Sequence, residues 1–339
     1  MNQATDPVKE PKKPIFDPRL YLAQTLDPVH VGTGEFQLGR VDNTIVREAG
    51  TNLPKIPGSS LAGVVRAYMA MSYKEKENCA GKGGPDGSDH CGKRDCPVCV
   101  AHGFSKKVGS FQGLVQFSDA RILFFPVYTL QGPMWVTSPA TLESAGVSCG
   151  LPEWNDVNAK LREGNDHQVC TPGRPAAVGE RINLGWLYLE IKPMTNLGSA
   201  KTWTFDLSGE KVALSQLPRL APMLPLIVIV DDELFSMIVE DQLEVRTSVS
   251  IDPKTGTAAR GALFTAEAIP RGTYLYFHVT AMEPKFFRIP GDKEPIDFTP
   301  STLHASVFAG LKLMEYLGVG GSGTRGLGRT RVIEVKRTT

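Results

Sequence analysis

This sequence predicts an α+β fold with a ferredoxin-like (RRM-like) core, and three observations carry that prediction. With two long insertions set aside, its apolar runs and amphipathic stretches follow the order strand, helix, strand, strand, helix, strand, the split βαβ pattern. The 34 glycines and 25 prolines among 339 residues exceed the ~7% and ~5% of an average chain, which argues against a helical bundle. At roughly 150 residues per domain, the length fits one elaborated domain or two.

The elements follow in order. Met1 to Pro14 is polar and holds three prolines, so it cannot bury apolar area; residues 1–16 are expected to be a disordered tail. Leu20 to Val31 alternates as a first strand that ends at Gly32. Phe36 to Glu48 reads as a polar loop containing Asp42. A helix opens after Ile56, capped by Ser59 or Ser60, with Leu61, Val64, Val65 and Tyr68 at helical spacing, and it ends in the charged run Lys74 to Glu77. Residues 78–112 form an insertion dominated by Gly, Lys, Asp and Cys. Leu114 to Thr129 is β-rich, with Ser118-Asp119 as a turn or bulge and Ile122 to Val127 as a buried strand.

Residues 131–224 carry all four tryptophans (Trp135, Trp154, Trp186, Trp203) and read as a long irregular insertion with its own small core. Leu226 to Val230 is a buried strand. The next helix, Asp231 to Leu243, has acids at its N-terminus that suit the dipole. Val245 to Phe264 reads as a β-hairpin turned by Asp252-Pro-Lys-Thr-Gly256. Thr273 to Ala281 is a strand, Leu303 to Leu317 a helix capped by Thr299 or Ser301, and Leu327 to Val335 the closing strand.

Charge and apolar patterning exclude several classes. Lys and Arg number 37 against 36 Asp and Glu, which excludes a strongly basic nucleic-acid binder as a whole-chain description. The balance is uneven along the chain: residues 201–252 hold nine acids and four bases, residues 321–339 five bases and one acid. Opposite faces of unlike charge would account for that. The longest apolar stretch, Leu220 to Val230, is shorter than the ~20 residues of a spanning helix and is interrupted by Pro222 and Pro225. No membrane partner and no signal peptide are expected. A cytoplasmic location follows, where disulfides are rare, so the six cysteines need another account.

Four of them have one. Cys79, Cys91, Cys96 and Cys99 lie in an insertion with little else to fold it, and Cys96-Pro-Val-Cys99 has the C-x2-C spacing of a zinc chelate. Four thiolates leave no open coordination position, so a structural Zn²⁺ is expected, with the metal supplying folding energy. The bland alternative is four ordinary free thiols. His90 and His102 flank the set, and His90 could replace Cys91. Cys149 and Cys170 have no such company. A zinc hydrolase is a poor reading, because no site is left for water and no carboxylate is paired with the cluster.

Gly318 to Gly328 holds six glycines in eleven positions, between a helix and a strand. Glycines admit close approach of a ligand to the backbone, and successive N–H groups can cradle phosphate. A nucleotide P-loop would need Gly-Lys-Ser/Thr opening a helix; this loop opens a strand, so NTP binding is rejected. Arg325, Arg329 and Arg331 sit in or beside it. The bland reading is a flexible solvent loop.

A glycine-rich loop before the last strand of such a core resembles the signature of the RAMP superfamily of CRISPR proteins. His30-Val-Gly-Thr-Gly34, Val41-Asp42 and Ile56-Pro-Gly-Ser-Ser-Leu-Ala-Gly-Val-Val-Arg66 resemble the repeating backbone subunit of type III effector complexes, of the Cmr and Csm kinds. Cys96-Pro-Val-Cys99 with Gly103, Gly113 followed by Ser118-Asp119-Ala120, the Ser250 to Gly256 turn and Gly261 to Thr273 resemble the same family, in family order from about 20 to 335. The departures are the cysteine insertion and the tryptophan-bearing stretch, which resembles the Cmr form; a type III-D arrangement stays open. The resemblance makes 17–339 one RAMP domain.

The resemblance implies a subunit that stacks with like backbone subunits along a CRISPR guide RNA, pairs it with target RNA, and cleaves the target as an endoribonuclease. Ser59, Ser60 and Arg66 at one helix start, with Gly320, Gly321, Ser322, Gly323 and Arg325 in the glycine loop, would bind RNA backbone. The hairpin over 245–265 would be the family's thumb, with Leu263 and Phe264 either wedging a base pair apart or serving as hairpin core. Asp42 would be the catalytic residue, working with Mg²⁺ or another divalent cation and assisted by His30. Glu267 and Arg47 are weaker candidates, and Asp119 reads as a structural turn. The alternative is a non-catalytic scaffold of the same complex.

Overall fold

The computed structural model describes residues 15–34, 41–81, 90–107, 109–150, 153–163, 166–172, 179–194, 197–207 and 209–336. The expected tail thus lies outside the described residues except for its last two positions. The fold is mixed α/β, gathered into two compact units. The smaller takes in residues 15–18, 66–116 and 279–309, the larger 19–65, 117–278 and 310–336.

The elements that position the sites are β1 (Phe16–Thr25), α1 (Gly58–Ser72), α2 (Pro97–His102), β2 (Ala120–Thr129), β3 (Gly132–Thr137), β4 (Ile227–Ile229), α3 (Asp232–Asp241), β5 (Glu244–Ile251), β6 (Ala258–Ala268), β7 (Tyr274–Met282), α4 (Pro300–Leu317) and β8 (Thr330–Glu334). The main sheet runs β4-β3-β2-β7-β1-β8. β1 pairs antiparallel with β8 in the register Leu22↔Ile333, and β7 pairs antiparallel with β2 from Tyr274↔Phe124. β4 joins β3 in parallel, Val228↔Val136.

Long apolar periodicity accounts for the regular parts. α4 buries Leu303, Val307, Leu311 and Met314, a stripe at helical spacing. Pro300 sits in its first turn, where the missing N–H costs nothing, and Thr299 Oγ1 accepts the Thr302 N–H at 3.2 Å. Thr299 is therefore the cap. On the sheet, the rings of Tyr21 and Phe277 stack at 5.6 Å. Leu20, Leu22, Leu123, Tyr274 and Tyr276 join a second apolar cluster with Leu142, Trp154, Trp203, Phe205 and Ile227.

That cluster alters the reading of residues 131–224. The segment is not irregular: β3 extends the main sheet, and short strands form two further small sheets. Its core is not its own but continuous with the main sheet. Trp154 meets Trp203 edge-on at 5.4 Å, while Trp186 is 72% exposed. Strands of two to six residues are too short to leave a legible period. The first strand also stops earlier than expected, at Thr25. Pro28 has no N–H for a ladder, Asp27 is turned aside by Arg329 at 2.5 Å, and beyond it the chain keeps only isolated bridges such as Val29↔Ile269.

Candidate functional site

The segment 41–47 carries Asp42 and is laced on both sides. Val46 N–H donates to Val31 O at 2.9 Å, Asn43 N–H to Thr265 O at 3.0 Å, and Glu267 N–H to Asn43 O at 3.0 Å. A buried carboxylate reinforces the lacing: Glu267 accepts from Arg47 at 2.9 Å and from Ile45 N–H at 3.3 Å. Glu267 and Arg47 are thus partners of each other, bracing the loop.

Asp42 hangs from β6. Its Oδ2 accepts the Thr265 N–H at 2.7 Å and the Thr265 hydroxyl at 2.9 Å, while its own N–H reaches Thr265 Oγ1 at 2.9 Å. The Thr265 N–H, then its hydroxyl, hold the carboxyl below its ordinary value, because hydrogen bonds to the charged form favour it. No described residue bonds Oδ1. Thr265 is the partner of Asp42 that the sequence did not single out, although it lies inside a quoted motif.

His30 is anchored on the same strand, its Nδ1 2.6 Å from Glu267 O. A carbonyl can only accept, so Nδ1 carries a proton, and Nε2 is the ring nitrogen left for another partner. Gly32 leaves room for this ring, since a Cβ there would stand 2.9 Å from Nε2.

The glycine loop docks on the other side of residue 30. Gly321 N–H donates to His30 O at 2.8 Å. Gly320 has φ +86°, and a Cβ on it would lie 2.2 Å from His30 O; only glycine fits. Residues 320–326, including Gly323 and Arg325, are exposed, and Ser322 is left-handed at φ 60°. The loop's other arginines are less available than their sequence suggests: Arg329 grips Asp27 at 2.5 and 3.1 Å, and Arg331 binds Glu315 at 2.5 Å. Arg325 instead lies over the Phe264 ring at 5.9 Å. Arg246, also missed in the sequence, ties β5 to the loop through Gly326 O at 3.2 Å. Phe264 is thereby packed, whereas Leu263 is 66% exposed.

At the start of α1 the first N–H is already taken. Gly58 N–H donates to Asp119 Oδ1 at 2.8 Å, and Lys55 pairs with the other oxygen at 2.6 Å. Asp119, rather than Ser59 or Ser60, caps the helix. Burial works against its ionisation, but the Lys55 and Gly58 bonds outweigh burial and the carboxyl falls below its usual value. Ser59 is exposed and Ser60 half-buried.

Arg66 does not serve this end of the helix, contrary to the sequence expectation. Its guanidinium is spent on the carbonyls of Cys79 at 2.8 Å and Gly103 at 2.8 Å, and on His90 Nδ1 at 3.2 Å. A donor fork already filled by carbonyls is not offered to phosphate.

Cys79, Cys91, Cys96 and Cys99 converge in the smaller unit, their Sγ atoms all within 4.8 Å of one another, and could hold a metal ion. Cys91 Sγ is 3.8 Å from Cys99 Sγ, and Cys96 Sγ 3.9 Å from Cys79 Sγ. Hydrogen bonding from Cys96 and Cys99 stabilises the Cys91 thiolate, and the hydrogen bond that Cys96 gives Cys91, with burial behind it, pushes the Cys96 thiol up to about 12. His90 faces Arg66, leaving Cys91 in the sulfur set. His102 is also outside it: burial, then the Arg66 charge, drive its imidazole down to about 3.

The model of the RAMP superfamily matches residues 22–331. The chain belongs to the RAMP superfamily. Among RAMP proteins, it is 31% identical over 264 residues to the CRISPR system Cmr endoribonuclease Cmr4 of Pyrococcus furiosus, covering 74% of this chain and 77% of that one. It is 33% identical over 87 residues to the Cms endoribonuclease Csm3 of Methanothermobacter thermautotrophicus, 25% of this chain and 32% of that one. In structure it resembles a chain of the type III-B Cmr-beta complex bound to cognate target RNA, with TM-score 0.62 at 15% identity, over 95% of this chain and 99% of that one. Oligomeric Cmr4 from Pyrococcus furiosus gives TM-score 0.55 at 20% identity, over 94% and 99%. At such identities these two likenesses speak for the fold alone.

Proposed function

We propose that this RAMP protein is a guide-RNA-binding backbone subunit of a type III CRISPR effector complex, cleaving guide-paired target RNA at regular intervals. One observation carries the reading: the strand that presents exposed Leu263 also holds Asp42, through Thr265. Alternate residues of a strand share a face and lie about 7 Å apart. The strand residue that holds this carboxylate thus stands one strand repeat from the exposed apolar side chain that would part a base pair.

The residues divide the work as follows. Asp42 orients the 2′-hydroxyl or a divalent cation through its open Oδ1. Mg²⁺ commonly takes only one or two protein carboxylates plus substrate phosphate, so the single free oxygen fits; when bound, the ion would neutralise charge on the phosphate. The 2′-oxygen bonds to phosphorus as the P–O5′ bond breaks, giving a 2′,3′-cyclic phosphate and a 5′-hydroxyl. His30 Nε2 takes the 2′-hydroxyl proton or returns one to the leaving oxygen. Ser59 and Ser60, Gly320 to Gly323 and Arg325 hold guide backbone without reading sequence.

Several architectural readings belong here. The order of the four core strands, second-third-first-fourth by chain position, with a helix after the first and the third, supports a ferredoxin-like core within one RAMP domain over 17–339. The hairpin over 245–265 serves as a thumb. The cysteine insertion over 78–112 holds structural zinc. A tetrahedral Zn²⁺ with ~2.3 Å bonds sets its sulfurs roughly 3.8 Å apart, matching the Cys91–Cys99 pair at 3.8 Å and the Cys79–Cys96 pair at 3.9 Å. The complex works in the cytoplasm.

The scaffold alternative has its own support, since both Asp42 bonds to Thr265 are those of a loop brace. Cleavage by reconstituted complex, wild type beside Asp42→Asn, with Mg²⁺ and with EDTA, separates the two. Asparagine keeps an oxygen for the brace and removes the charge. Loss of the regular cuts with target binding kept supports catalysis; unchanged cuts make the subunit a scaffold.

A further inference from the structure

Resting on the metal reading of the cysteine cluster, we propose that Arg66 is the positioning residue of that centre: one guanidinium holds together the three backbone segments that supply its four thiolates. Nε donates to Cys79 O at 2.8 Å, the carbonyl of the first sulfur ligand. Nη2 meets His90 Nδ1 at 3.2 Å, one residue before Cys91. It also donates to Gly103 O at 2.8 Å, the C-cap of α2, whose N-terminal end presents Cys96 and Cys99. Nη1 reaches His102 O at 3.5 Å. The short helix α2 leaves its last carbonyls without helical partners, and the arginine fills them.

The charge points the same way. Arg66 has no carboxylate partner among the described residues, and its side-chain hydrogen bonds go to the segments that carry the thiolates. A divalent ion on four thiolates leaves the centre at −2, and a cation against the ligand backbones offsets part of that. Four separate acceptors on three segments suit a planar fork of five donors and are beyond the reach of one ammonium. Outer residues that orient ligands of a metal typically govern its affinity by 10- to 100-fold.

The test uses the full-length chain loaded with one Zn²⁺, timing zinc transfer to a coloured chelator for wild type, Arg66→Lys, Arg66→Met and a control, Val307→Ala. Val307 is buried in the same unit, and its apolar side chain can donate no hydrogen bond to a ligand segment's carbonyl. Cobalt-loaded protein reports ligand geometry through its visible bands. The expected result is release 10- to 100-fold faster in Arg66→Met, intermediate in Arg66→Lys, shifted cobalt bands in both, and wild-type behaviour in the control. Should Arg66→Met not fold, Arg66→Lys carries the comparison. Zinc held within threefold of wild type by the Arg66 variants overturns the assignment, as does equally fast release from Val307→Ala. A wild-type chain that takes up no zinc overturns the metal reading itself, and the role of Arg66 with it.

Discussion

Gly320→Ala is the sharpest perturbation of the glycine loop, because one methyl group meets a fixed carbonyl. The new Cβ would stand 2.2 Å from His30 O, so the loop must retreat about 1.2 Å or more to reach ordinary van der Waals contact, which begins near 3.4 Å. Retreat breaks the Gly321 N–H to His30 O bond, now 2.8 Å, at about 0.5–1.5 kcal/mol. The backbone at φ +86° adds about 1–2 kcal/mol for a residue with a Cβ. Together these make about 2–3 kcal/mol, enough to detach a surface loop locally while leaving the sheet formed. The assay is guide-RNA binding by filter retention beside thermal melting. Gly323→Ala is the matched control, since its Cβ meets nothing closer than Leu317 O at 3.8 Å. Gly320→Ala should lose at least tenfold in guide affinity and melt a few degrees lower, with Gly323→Ala unchanged in melting. Equal guide affinity for Gly320→Ala and wild type would refute the docking of this loop on residue 30.

Three further expectations follow from the same geometry. Thr265→Val removes the hydroxyl that both bonds Asp42 Oδ2 and receives the Asp42 N–H, yet keeps the side chain's shape; target cleavage should fall about 10- to 100-fold with guide and target binding retained. For pH, the folded Asp42 carboxyl lies below its ordinary 3.8, so its brace is fully present above that value and is lost as pH falls through the lower folded value. Cleavage between pH 5 and 8 should therefore show no ionisation that disappears in Asp42→Asn. Among the described residues Arg325 is exposed and has no acidic partner, whereas Arg329 and Arg331 are paired. Arg325→Ala should flatten the salt dependence of RNA binding by about 0.7–0.9 in log–log slope, and Arg329→Ala should leave that slope as it is.

The chemistry of the two sites was written in short spacings, and those spacings were legible. The C-x2-C pair named the sulfur cluster, and the run of glycines named the loop, since both depend on residue type over a few positions. What the sequence hid was partnership across long separations. Asp42 and Thr265 lie 223 residues apart, and no local pattern says which strand residue will face a given loop carboxylate; β-sheet register decides it. Asp119 caps a helix that begins 61 residues before it, so the serines at the helix start looked like the caps. Arg66 sits at helical spacing from Ser59 and Ser60, and spacing alone cannot tell which way a long side chain turns.

Counting charges misled for the same reason. The C-terminal stretch reads as five bases against one acid, but Arg329 and Arg331 are matched by Asp27 and Glu315 from other parts of the chain. The acidic helix is likewise occupied: Asp231 caps it and binds His167 at 2.7 Å, Glu233 pairs with Arg162, and Asp241 accepts from Trp186 at 2.8 Å. Charges that count toward RNA are those left over after folding, and in the glycine loop that leaves Arg325. On the proposed reading, Arg325 is joined on a guide by those loop N–H groups not spent within the protein, Gly321, Arg325 and Gly326 already donating to the carbonyls of His30, Ser322 and Gly323, and every nucleotide's phosphate satisfies such groups equally. That indifference to sequence is what a subunit reused along any guide requires, and it makes the conformation of the loop, set by Gly320 and Gly321 against residue 30, matter more than its net charge.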